Sequence, residues 1–334
     1  MKLGLMLGYW IGGPTDPIDV VLEAERFGYD SVWTAEAYGS DAISPLCWIG
    51  ARTTKIRLGT GILQLSARTP ASVAMTAMTI DHLSGGRFIL GVGVSGPQVV
   101  EGWYGQPFPK PMGRTREFVE LVRLMLRREG PIRYAGEHYR LPLDGGARLG
   151  KPLKLINNPL RKDLPIFIGA EGPKNVALAA EIADGWLPIF YSPYRCPKIY
   201  EESLRARKPG FEIACPVHVI VSDSVADALV LVKWTLAFYI GGMGAASQNF
   251  HLNLIGRIGF EDAARKVQKL FLEDRRDEAA GAVPDALADE ISLVGPPERI
   301  RDRLAAWRES PVTSLLCMSR EPATLRLLAE SASR

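Results

Sequence analysis

Short apolar runs alternate with stretches of helical apolar spacing from one end of the chain to the other. Lys2–Tyr9 reads as a strand, and behind it Val20, Val21, Ala24 and Phe27 recur at the intervals of one helix face, closed by Gly28. The step repeats with strand Ser31–Thr34 and helix Ser44–Arg52, then strand Ile56–Gly61 and helix Pro70–Leu83, with proline at the first helical position. Strand Arg87–Gly93 follows, with a helix best formed over Thr115–Arg128. An irregular excursion, about 130–164, carries a small hairpin at Arg133–Arg140. The alternation resumes with Pro165–Gly169 and Lys174–Ala183, then with Gly185–Phe190 and a helix over Pro193–Arg207. Glu212–Val221 leads into a helical stretch, Asp223–Tyr239, broken at Gly241–Gly244 and resumed over Gly259–Arg276. Helix Pro296–Glu309, strand Val312–Met318 and helix Pro322–Ser331 complete the chain.

These strands are apolar along their length and do not alternate with polar residues, as expected of a parallel sheet covered on both faces. Eight strand–helix steps in 334 residues predict an α/β fold closed into a (β/α)₈ TIM barrel. No linker divides it, so residues 1–334 are expected to form one domain. Residues 240–290 are surplus to a minimal barrel and read as a helical insertion before strand eight.

Composition alters this picture little. Hydrophobic residues at 47% and charged residues at 23% suit a soluble globular protein. A net charge of +3 with both signs interspersed calls for neither a nucleic acid nor an anionic membrane as partner. The basic cluster Arg123–Arg128 is interrupted by Leu124, Met125 and Leu126 and reads as an amphipathic helix. Four cysteines and four histidines are scattered without metal-ligand spacing, so no metal site is expected. The N-terminal apolar run is too short for a signal peptide, and no stretch is expected to approach the length needed to span a bilayer. The cytoplasm is the expected compartment.

Gly91-Val92-Gly93-Val94-Ser95-Gly96 matches the G-x-G-x-x-G of dinucleotide-binding folds. It lies on the fourth strand, whereas the motif belongs to the first strand of a βαβ unit. Pro97 and the glycine- and proline-rich run to Pro111 are read as excluding an immediate helix. The position about twenty residues on falls inside Glu117–Leu126, not at a second strand's end. The motif is therefore read as letting backbone amides approach a ligand at the barrel mouth. There is no G-x-S-x-G elbow, metal cluster or well-placed carboxylate pair to suggest a hydrolase.

The order and spacing of several segments carry a resemblance. Gly28–Glu36, Thr60–Gln64, Arg68-Thr69-Pro70, Thr79–Gly93, Ile168–Pro173, Ala183–Trp186 and Val294–Glu298 together resemble the luciferase-like monooxygenase superfamily. Thr60–Gln64 and the loop Ser95–Gly105 look most like its branch using the deazaflavin coenzyme F420, which includes methylenetetrahydromethanopterin reductase and F420-dependent glucose-6-phosphate dehydrogenase. The resemblance implies a barrel of the bacterial luciferase type, an organic small-molecule substrate and a homodimer. It implies F420 as cofactor, with FMN-dependent monooxygenation and a non-catalytic deazaflavin-binding barrel as the alternatives.

Site residues follow from the same resemblance. Gly61-Ile62 matches a non-prolyl cis peptide at a bulge ending strand three, where it backs one face of the deazaflavin, with Gln64 beside it. Glu36 matches an acidic residue near the ring at the end of strand two and is the candidate catalytic residue; a solvated loop acid is its bland alternative. Val94, Ser95 and Gly96 belong to the coenzyme site. Gly169, Ala170, Glu171 and Gly172, ahead of a helix N-terminus, match a phosphate site. Gly185, Ile189 and Phe190 line the neighbouring strand, where Trp186 serves either contact or core. Tyr9, Trp10, Tyr38 and Trp103, with Tyr104 near them, suggest an aromatic, apolar substrate pocket. The sugar-phosphate dehydrogenases of the branch carry a histidine after the strand-two acid and a glutamate in the strand-four loop. This chain has Ala37 and Gly96 there, which disfavours that substrate.

Overall fold

Eight strands close on themselves in the computed structural model, which describes every residue except Ile11, Pro14, Gly146, Ala246, Ser247, Ser333 and Arg334. They are β1 (Lys2–Gly8), β2 (Ser31–Thr34), β3 (Arg57–Thr60), β4 (Phe88–Gly93), β5 (Ile166–Gly169), β6 (Gly185–Leu187), β7 (Glu212–Val221) and β8 (Ser314–Cys317). Each pairs in parallel with the next, and β8 returns to β1 with Lys2 opposite Ser314 and Leu5 opposite Cys317. The chain forms the predicted (β/α)₈ barrel, its helices packed around the outside.

Two apolar layers hold the barrel. The larger lies between strands and helices. The smaller is the barrel interior, where Met6, Trp33, Ile89, Phe167, Leu187, Ala214 and Leu316 contribute one side chain from every strand but β3. On β3 the place is taken by Gly59, under the Trp33 ring: a Cβ there would lie 2.3 Å from that ring. At the opposite end from the site, ion pairs draw the strand beginnings together. Arg57 binds Asp30 and donates to Glu212 at 3.0 and 3.1 Å, and Lys2 reaches the same Glu212 at 3.1 Å. Burial pushes the Glu212 carboxyl up, but the Arg57 hydrogen bonds outweigh it and leave the pKa below the usual value. The resulting stabilisation is present above the ordinary carboxylate pKa and is lost as pH falls through the lowered one.

The feature that shapes the site interrupts β3. Gly59 pairs with Ile89, yet the next pairing with β4 is Leu63 with Val92, so four steps on one strand span three on the other. This is a β-bulge. The Gly61–Ile62 peptide inside it is cis. Thr60 Oγ1 donates to Gly91 O at 2.7 Å and accepts from Gly91 N at 2.8 Å, replacing ladder bonds that the bulge removes. That approach leaves no room for a side chain, since a Cβ on Gly91 would sit 1.8 Å from Thr60 O.

Several expectations need correction. A helix does follow the glycine motif at once, over Pro97–Gly102: proline at the first helical position needs no N–H partner, so it starts this helix. A strand at Ser292–Gly295 was not foreseen; it pairs with the outer half of β7, outside the barrel, from His218–Ser292 to Val221–Gly295. Of Pro193–Arg207 only Cys196–Ile199 is α-helical. Finally, Val225–Gly242 does reach a bilayer span's length and composition, at 18 residues and mean hydropathy 1.4. Here it is a fold element, burying Ala228, Leu229, Val232 and Leu236 and packing on the extra strand and the insertion helices.

The close approach at the bulge predicts that Gly91→Ala lowers stability by about 3 kcal/mol. Gly281→Ala, at a helical site with open space, should leave stability unchanged or raise it by about 0.5 kcal/mol. Urea unfolding midpoints of the two variants test the contrast.

Candidate active site

A cavity of about 750 Å³ opens at the C-terminal ends of the strands, the face on which barrels of this type carry their sites. Its floor is the top of the interior layer, Met6 and Leu187, together with Ile62 of the bulge. The Ile62 side chain occupies space that glycines leave open: Cβ atoms on Gly93 and Gly169 would lie 2.3 and 2.9 Å from it. The second half of the glycine motif thus accommodates the bulge.

Glu36, at the end of β2, is buried in the cavity wall and fully bonded. Oε1 accepts from Arg68 Nη1 at 2.7 Å and from the Gln64 amide at 2.8 Å; Oε2 accepts from Arg68 at 3.0 Å and from the Ala42 amide at 3.2 Å. Gln64 Nε2 donates back to Glu36 O at 3.1 Å. The carboxylate therefore fastens the β2 loop to the chain leaving the bulge. Gln64 Oε1 is buried without a partner, an acceptor for a ligand N–H on the cavity wall.

The far wall is built by the end of β5 and the following helix, Pro173–Ile182. Gly172 precedes that helix and gives no side-chain cap, so its first-turn amides are left without a capping acceptor and the helix dipole favours an anion there. Glu171 O accepts from Tyr200 Oη at 2.6 Å and from Arg257 Nη1 at 3.2 Å, which brings a guanidinium to the same region. The Glu171 carboxylate is engaged elsewhere, with Oε1 3.0 Å from His251 Nδ1. That contact is close but not aligned as a hydrogen bond, since Nδ1 lacks a hydrogen-bond partner.

The insertion forms the roof. Tyr239, Met243, Phe250, His251, Asn253 and Arg257 all line the cavity. Asn249 ties its two arms together, donating to Ile240 O at 2.6 Å and accepting from the Leu252 amide at 2.9 Å. Tyr38 Oη donates to Met243 Sδ at 3.6 Å, joining the roof to the β2 loop, and Tyr38 and Trp103 stand exposed at the rim.

Most expected residues meet at this cavity: Tyr9, Glu36, Tyr38, Gly61, Ile62 and Gln64 on one side, Val94, Ser95, Gly96 and Trp103 on the β4 loop, Gly169–Gly172 and Ile189 opposite. Gly185, Phe190 and Trp10 do not reach its wall. Gly185 is at the start of β6 beneath the Phe167 ring, far down the strand from the mouth. Phe190 stands behind the roof, edge-on to Tyr239 at 5.2 Å between centroids. Trp10 is buried, with Nε1 donating to Thr15 Oγ1 at 3.3 Å and Arg320 over its ring. Trp186 is core, its indole N–H bound to Ala170 O at 2.8 Å, and Tyr104 donates to Ala37 O from outside the cavity. The roof residues were missed because no local pattern tells a helical insertion which way to fold.

A closed parallel barrel, bulged at β3 and holding a ligand-sized cavity at its strand ends, defines a class of small-molecule site. Within that class the chain belongs to the luciferase-like monooxygenase family, whose model matches residues 5–314. It is 51% identical, across 98% of both chains, to a Mycobacterium tuberculosis protein named "Putative coenzyme F420-dependent oxidoreductase". It is also 28% identical to the 5,10-methylenetetrahydromethanopterin reductase of Archaeoglobus fulgidus, covering 89% of this chain and 87% of that one. The solved coenzyme F420-dependent tetrahydromethanopterin reductase of Methanopyrus kandleri superimposes with a TM-score of 0.80 at 22% identity, over 99% and 97% of the two chains.

Because both Glu36 oxygens are occupied, Glu36→Gln should lose about 3 kcal/mol of stability, since its amide NH₂ would face one of the two backbone N–H donors and Arg68 would lose its counter-charge. Urea denaturation measures this. A variant as stable as the parent would return the carboxylate to the chemistry.

Proposed function

We propose that this chain is an F420-dependent oxidoreductase, exchanging hydride between the deazaflavin and an organic substrate. The observation that carries the reading is the 51% identity over 98% of both chains to a relative named for that coenzyme. The cavity supports it on its own terms. Ile62 offers an apolar surface for a flat ring, Gln64 Oε1 an unpaired acceptor for a ring N–H, and the uncapped helix start with Arg257 a place for a phosphate. When bound, the coenzyme supplies two-electron hydride chemistry. The protein's part is to hold it, exclude water beneath the roof, and present a substrate beside the aromatic rim of Tyr38 and Trp103. The four cysteines are free, which suits the reducing cytoplasm in which we place it. A homodimer belongs to the same reading.

Titration of the purified protein with F420, followed by the coenzyme's fluorescence, should saturate, and Arg257→Ala should weaken binding about tenfold. Tight FMN binding with no response to F420 would sink the proposal.

A further inference from the structure

Hydride addition to the carbon of a C=O or C=N bond leaves the former π electrons on the heteroatom, and a proton has to meet that charge. The expected candidate, Glu36, is occupied by Arg68 and two backbone amides. Ala37 and Gly96 leave those two positions in the β2 and β4 loops without an acid or base. On the β1 side, however, Tyr9 Oη and Tyr239 Oη lie 3.1 Å apart, and both residues line the cavity.

Local structure explains how Tyr9 comes to face inward. Met6 points into the barrel interior, and strict alternation would send the residue three further on to the opposite side. The register of β1 against β2 shifts between Met6 and Gly8, and Gly8 takes a φ of 68°. The chain turns there, bringing Tyr9 back over the cavity. Met6 Cε would lie 3.1 Å from a Cβ on Gly61, so β1 adjoins the bulge that floors the site. Tyr239 comes from the roof and is held edge-on by Phe190 and His251, at 5.2 and 4.9 Å between centroids. Burial raises the pKa of both phenols, that of Tyr239 far above the usual value, and each keeps its proton at neutral pH.

We propose that Tyr9 is the acid that meets negative charge on the substrate's heteroatom, with Tyr239 a positioning residue that fixes its hydroxyl, and that the site accordingly takes a carbonyl or imine compound. This rests on the hydride-transfer reading. In the reducing direction a C–H bond forms with the hydride supplied by reduced deazaflavin, and the π pair moves to oxygen or nitrogen. An O–H or N–H bond forms there as the Tyr9 O–H bond breaks, and the phenolate regains its proton from water at the mouth. The substrate gains two electrons, and the deazaflavin loses them.

The test uses 4-nitrophenolate as an oxyanion probe without coenzyme, read from its visible absorbance, and nitrobenzene as an uncharged partner of similar shape. The parent protein should bind the phenolate, and Tyr9→Phe should weaken it about tenfold to a hundredfold. Tyr239→Phe should weaken it less, while nitrobenzene affinity stays within about twofold in both variants. The proposal is overturned by no phenolate binding to the parent, by equal affinity in Tyr9→Phe, or by a parallel loss of nitrobenzene. An F420 fluorescence titration of the same proteins separates the two readings. Failure there with the phenolate result intact rejects the coenzyme, whereas the reverse rejects only Tyr9.

Discussion

The one-residue excess in β3 governs the arrangement of the site. A parallel ladder runs continuously only while both strands advance in step, and between Gly59 and Leu63 they do not. The missing ladder bonds are replaced by the Thr60 hydroxyl on both polar groups of Gly91. Ile62 is thrown over the barrel's interior layer, where Gly93 and Gly169 make space for it. Leu63 and Gln64 then rejoin the ladder one place out of step, and the Gln64 amide is where Glu36 anchors the β2 loop. A shaped floor, a fixed wall and a buried carboxylate with no spare lone pair thus follow from one insertion.

The roof depends on different physics. The insertion leaves β7 through Val225–Ala237, and its turns are joined by Asn249 and by rings packed edge to face. It places the Tyr239 hydroxyl, the His251 ring and the Arg257 guanidinium over a cavity whose floor belongs to the barrel. Arg257 brings a positive charge to the neighbouring helix start by donating to Glu171 O, while the Glu171 carboxylate lies beside the His251 ring. The barrel supplies the surface, and the insertion supplies most of the charge and hydrogen-bonding chemistry above it.

Strand and helix positions were legible because each strand is a continuous apolar run and each helix carries a one-sided stripe, patterns that burial imposes locally. Glu212–Val221 is a strand over the full predicted range, and most other elements lie within a few residues of theirs. The errors have local causes. Pro97 was taken to exclude a helix when it merely begins one, and Ser292–Gly295 was left unassigned after the insertion because four residues carry too little pattern. At the site, glycines and motif order marked Gly61, Ile62 and Gly169–Gly172, all of which line the cavity. Gly185, Phe190 and Trp10 were placed by nearness to strand ends, which does not say which way a residue faces.

By itself, then, the sequence determined the eight-step barrel, the bulge region and the family, since these rest on periodicity and on segments contiguous in the chain. Only the tertiary structure decided what the side chains do. Glu36 meets Arg68 across 32 residues, Glu171 meets His251 across 80, and Tyr9 meets Tyr239 across 230. Such contacts are made by barrel closure and by the fold of the insertion. No local pattern encodes them, because their partners become neighbours only when β8 pairs with β1 and the roof comes down on the strand ends.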